Sequence, residues 1–135
     1  MHFMITAATA TALSLLLLAL AANTITHRMM LRAPFGDAGD PGLIAASRAH
    51  GNLTEYLPIG LALIALLEAN AADPLALSIV AALFVAVRVF HAFGLRGSHN
   101  GLTIGRSVGI LGTLLLLAVM TGWLGALLMR PYLGF

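Results

Sequence analysis

Four long apolar runs decide what this chain can become. They lie at about residues 3–22, 43–68, 74–95 and 106–129. A helix needs about 20 apolar residues to cross the hydrocarbon core of a bilayer, and each run is of that order. Spanning segments must satisfy their own backbone hydrogen bonds, so helices or a closed barrel are the available forms, and runs of this length select helices. The expected fold is an all-α membrane protein, a four-transmembrane-helix bundle in one domain. Composition agrees. Sixty per cent of the 135 residues are hydrophobic and nine per cent charged, too little polar surface for a soluble domain of this size.

Several chemistries drop out at once. There is no cysteine, hence no disulfide, no thiolate metal site and no thiol nucleophile of the protein's own. All seven basic residues are arginine, and they are not interleaved with aromatics along any surface, so nucleic acid is not expected as a partner. The Ala-, Gly-, Leu- and Arg-rich, lysine-free composition fits a bacterial source. A cleavable signal is the rival reading of the first run, because "LALAAN" resembles a cleavage site, but no Lys or Arg precedes the run.

The connections set the topology. Residues 23–42 are polar, rich in Gly and Pro, and read as a long loop. Residues 70–74, "NAADP", make a short turn in which Asp73 can cap the next helix and Pro74 can open it. Residues 96–105 form the third connection. Arg28, Arg32 and Arg48 flank the first loop, and Arg88, Arg96 and Arg106 flank the third. Only Arg130 lies on the other side, with Glu68 and Asp73. The positive-inside rule places both loops in the cytoplasm and both termini in the periplasm of a bacterial inner membrane.

The second span opens on "RAHGNLTEYLP", residues 48–58. Arg48, Asn52 and Glu55 are spaced i, i+4, i+7 and share one helix face. Each is costly in lipid, so the stripe must face protein or a watery cavity. Two readings stay open: a structural ion pair between helices, or a ligand site. Pro58 is expected to bend the helix beside the stripe. The third span adds Arg88 and His91, neighbours at i, i+3. Gly101, Gly105 and Gly109 recur every four residues and read as a close helix-packing face, within a subunit or between subunits. His50, His91, His99 and Glu55 lack the spacing of a metal motif, so no metal is expected. Arg48, Arg88, Arg96 and Arg106, with Glu55, Asn52 and Tyr56, gather near one membrane face. That inventory suits a zwitterion that is acidic overall. Arginines take its carboxylates and Glu55 takes its ammonium group. Glutathione fits; a phospholipid headgroup fits less well.

The pattern Arg48-x-x-x-Asn52-x-x-Glu55-x-x-Pro58 resembles the second-helix signature of the MAPEG family, the membrane-associated proteins of eicosanoid and glutathione metabolism. Arg88-x-x-His91 resembles the family's third-helix pair, and Arg106 the arginine that opens the fourth helix in its thiol-activating members. The short chain looks most like the small bacterial members. The resemblance implies a homotrimer that binds glutathione as co-substrate near the cytoplasmic face. Carried over by motif, Arg48, Asn52, Glu55 and Tyr56 would bind glutathione, with Arg88 and His91 beside them and Arg28 in looser correspondence. Arg106 would be catalytic, holding the thiol as thiolate for attack on a lipophilic electrophile from the bilayer, or for reduction of lipid hydroperoxides. The family's eicosanoid-forming members carry tyrosines in the last turns of the third helix. Here those turns hold Val89, Phe90, Phe93 and Leu95, so those specialised activities are not expected, and thiol activation falls to Arg106 or to His91. A non-catalytic binder of lipid or glutathione on the same fold is the alternative. A small transporter is a third reading, against which no inverted repeat or broken helix pair is found.

Overall fold

A computed structural model of the protein describes residues 3–96, apart from the Arg96 side chain, and 104–133, apart from that of Leu133. These residues form four helices: α1 (Met4–Leu31), α2 (Pro41–Ala69), α3 (Pro74–Arg96) and α4 (Ile104–Leu133). No strand occurs among them, and all four helices are long and apolar enough to cross a membrane. His99 and Gly101 lie outside the described residues, as does the side chain of Arg96.

The first loop is shorter than residues 23–42, because α1 continues to Leu31. The polar residues that suggest a loop bond back onto their own helix. Thr24 and Thr26 donate to the carbonyls of Leu20 and Ala22 at 3.0 and 2.9 Å, and His27 Nδ1 meets the Asn23 carbonyl at 2.9 Å. No Gly or Pro interrupts the segment before Pro34. The stop comes at Arg32, in the left-handed region at φ 51°, whose N–H turns back to the carbonyls of Arg28 and Met29. This is a common way to end a helix. The Arg28 guanidinium then gathers the loop, donating to the carbonyls of Ala33, Pro34 and Gly36 at 3.3, 3.4 and 2.9 Å.

Asp40 starts α2 before residue 43, accepting the Leu43 N–H at 2.7 Å with Pro41 in the first turn. Asp73 does the same for α3, accepting the Ala76 N–H at 2.8 Å ahead of Pro74. The first turn of α1 has no side-chain cap of its own. Glu68, from the far end of α2, supplies one. Its carboxylate accepts from Ile5 N–H at 3.0 Å, Thr6 N–H at 2.9 Å and Thr6 Oγ1 at 2.6 Å. Helix N-termini leave N–H groups unpaired and carry partial positive charge, so a carboxylate there is doubly favourable.

α2 and α3 form the central pair, each packed on every other helix, whereas among the described residues the α1 and α4 backbones do not approach each other closely. α2 runs unbroken through Pro58, the proline expected to bend it, and two residues later Gly60 receives the ring of Phe84. Leu13, Leu53, Ile64, Leu67, Leu77, Phe84 and Met120 fill the core. α3 and α4 approach most closely through glycine. A Cβ on Gly109 would meet the backbone of His91, and one on Gly94 would meet the backbone of Gly105 and Arg106. Gly105 and Gly109 therefore serve the packing of α4 on α3 within the subunit.

Candidate functional site

The α2 stripe meets the site end of α3 and α4 in one cleft. Its walls are Ser47, Arg48, Gly51, Asn52 and Glu55 from α2, His91 and Leu95 from α3, and Arg106 and Ile110 from α4, around a volume of about 160 Å³. A neighbouring cavity of about 280 Å³ shares Ser47 and Arg48 and adds Arg28, Gly36, Asp37 and Ile44. The two adjoin along one turn of α2. Seven residues separate Arg48 from Glu55, about 10 Å of helix, so a ligand can touch both only if it is several bonds long.

The stripe residues do not pair with one another. Arg48 and Glu55 are exposed, and neither has a hydrogen bond or ion pair among the described residues. Among the described residues, the reading of the stripe as a structural ion pair thus finds no cation within salt-bridge distance of Glu55 and no carboxylate within that distance of Arg48. Arg106, also exposed, stands in the same cleft.

Arg88 behaves differently. It is 1 % exposed and stands behind the cleft wall instead of lining it. Its Nη2 donates to Asn52 Oδ1 at 2.7 Å and its Nη1 to Thr113 Oγ1 at 3.3 Å. The Tyr56 ring lies 5.4 Å from the guanidinium carbon, within the range of cation–π attraction. Tyr56 likewise does not line the cleft. His91 is buried yet on the wall, and its Nδ1 lies 3.1 Å from the Arg106 carbonyl. A carbonyl oxygen only accepts, so Nδ1 carries the proton, and in the neutral ring Nε2 is left as an acceptor. Arg28 holds the first loop and borders the second cavity.

The sequence reading missed Ser47, Gly51, Leu95, Ile110 and Thr113. Ser47 and Gly51 lie on the stripe's own face, four residues apart, and Thr113 falls seven residues after Arg106. Helical periodicity would have found all three. Among the described residues no three His, Asp or Glu side chains converge as a metal site would require.

Comparison with known proteins places this geometry in a family. Inner membrane protein YecN of Escherichia coli K12 is 32% identical over 123 residues, covering 89% of this chain and 92% of that protein. The protein of the same name from Escherichia coli O6:H1 matches equally. The MAPEG family profile matches residues 6–126, a stretch that begins in the first turn of α1, takes in the whole stripe and ends near the close of α4; the chain belongs to the MAPEG family.

Proposed function

We propose that this protein is a glutathione-dependent membrane transferase that joins the glutathione thiol to lipophilic electrophiles. The observation that carries the reading is the cleft in which Arg48, Asn52 and Glu55 meet Arg106, with Arg28 in the adjoining cavity. Arginines at the mouth suit the two carboxylates of glutathione, and Glu55, deeper along α2, suits its ammonium group. Arg106 then stands beside the thiol. A free thiol is only a few per cent ionised at neutral pH. A fixed guanidinium favours the thiolate by charge without exchanging a proton, and the thiol proton leaves to water. The sulfur attacks the electrophilic carbon, a carbon–sulfur bond forms, and the leaving group departs with its electron pair. With a lipid hydroperoxide the thiolate would attack the distal oxygen, the O–O bond would break with the lipid leaving as an alkoxide that takes a proton to become the alcohol, and a second glutathione would reduce the resulting sulfenic acid, forming the disulfide and releasing water.

The expected assembly is a homotrimer. YecN is by name an inner membrane protein, and the arginine distribution supports an orientation with the cleft on the cytoplasmic side and both termini periplasmic. One observation favours the second reading, a non-catalytic binder of glutathione or lipid. The α3 wall of the cleft offers His91 and Leu95 and no hydroxyl, while Phe90 and Phe93 face outward, more than half exposed.

Arg106→Ala separates the two. In detergent-purified protein, glutathione affinity by calorimetry should change less than about three-fold, because other arginines take the carboxylates. Thiolate ultraviolet absorbance at neutral pH should fall, and turnover of a chlorodinitrobenzene-type electrophile should drop about 100-fold. Identical thiolate titration in wild type and variant would reject Arg106 as the activating group. Absence of turnover in wild type that nonetheless binds glutathione would favour the binder.

A further inference from the structure

Among the described residues Arg88 is the largest fully buried side chain. A cation buried among membrane helices needs acceptors from its neighbours. Thr113 on α4 is one of them, and it is fully buried. Its hydroxyl proton is committed to the Gly109 carbonyl at 2.7 Å, so toward Arg88 the oxygen can only accept. Asn52 is the other acceptor. A guanidinium has donors and no acceptor. The Asn52 amide must therefore turn its oxygen to Arg88, and its NH2 is the group left for the cleft that Asn52 lines.

We propose that Thr113 is a positioning residue for the ligand site: it braces Arg88, Arg88 fixes the Asn52 amide, and the cleft thereby holds a donor between Arg48 and Glu55. This rests on the reading of the cleft as a glutathione site. The consequence is polarity. From Arg48 to Glu55 the α2 stripe presents a cationic donor, a neutral donor and then a carboxylate. A ligand carboxylate or amide carbonyl can lie against Asn52, and an ammonium group finds its anionic partner at Glu55. Glutathione laid end for end would set its ammonium against Arg48 and the Asn52 N–H groups. Thr113 touches no ligand and acts through two side chains.

Thr113→Val keeps the shape and removes the acceptor; Thr113→Ser keeps the hydroxyl. The protein is prepared with 15N-asparagine, and the Asn52 side-chain amide pair is assigned by its loss in Asn52→Ala. In ligand-free protein that pair should shift in Thr113→Val and stay in place in Thr113→Ser. Glutathione affinity should fall about ten-fold in Thr113→Val and less than about three-fold in Thr113→Ser. Asn52→Asp, which replaces the donor by an acceptor that Arg88 can still hold, should abolish binding. An unmoved Asn52 amide pair in Thr113→Val overturns the proposal, as does unchanged glutathione affinity in that variant. If wild type binds no glutathione, the functional reading fails, and the amide comparison alone decides the role of Thr113. Should Thr113→Val not fold, Thr113→Ala carries the same comparison.

Discussion

Two glutamates on one helix meet opposite fates. Glu68, at the C-terminal end of α2, is taken up by three donors in the first turn of α1. Glu55, nearer the N-terminal end, has no hydrogen bond among the described residues and opens onto the cleft. The same division runs through the whole bundle. At the closed end, Glu68 and Asp73 each finish a helix N-terminus. At the open end, Arg48 and Glu55 line a cleft without pairing to each other, while the buried Arg88 is held by Asn52 and Thr113. Polar groups in a membrane protein are costly unless matched. A group matched inside the subunit holds the fold; one aimed into a cavity is available to a ligand.

The sharpest way to break this division is to separate the helices that build the open end. Gly109→Leu would push its side chain into the backbone of His91 and should destabilise the protein by about 3 kcal/mol or more, or prevent folding. Gly122→Leu, toward the closed end of α4 where a Cβ meets nothing within 4 Å, should leave the thermal transition near wild type. Equal effects of the two would remove the special status of the α3–α4 approach.

The next test exchanges the glutamates. Glu68→Gln should cost about 1–3 kcal/mol of stability in chemical denaturation, with glutathione affinity unchanged within about two-fold. Glu55→Gln should do the reverse: little change in denaturation, and affinity about ten-fold weaker by calorimetry. A stability loss in Glu55→Gln equal to that in Glu68→Gln would return the stripe to a structural role. The smallest expected effect is at Asp73. Asp73→Ala should lower stability by about 1 kcal/mol, without touching turnover of the electrophile.

Sequence alone reached the four helices because apolar run length is a strong signal, and it reached the stripe because i, i+4, i+7 spacing fixes a common face. It stopped where partners are remote. Residues 23–31 look like a loop until Thr24, Thr26 and His27 are seen bonding their own helix. Glu68 looks like turn decoration because its donors lie more than sixty residues away. Arg48 and Arg88 look equivalent as charges in apolar helices. What separates them is a threonine on α4 and the depth of its packing, neither of which is encoded near Arg88 itself.

The α2–α3 turn bears on how such a chain enters a membrane. α2 is the least apolar of the four spans and would be the most reluctant to leave water alone. Only residues 70–73 separate it from α3, so the two can cross the bilayer as one hairpin. Within that hairpin the Asn52–Arg88 bond matches one polar side chain with another without a contribution from α4. One member of the polar stripe therefore enters the lipid already hydrogen-bonded to the helix that follows it. The short connection, which adds nothing to the cleft, thus eases the delivery of a helix carrying Arg48, Asn52 and Glu55.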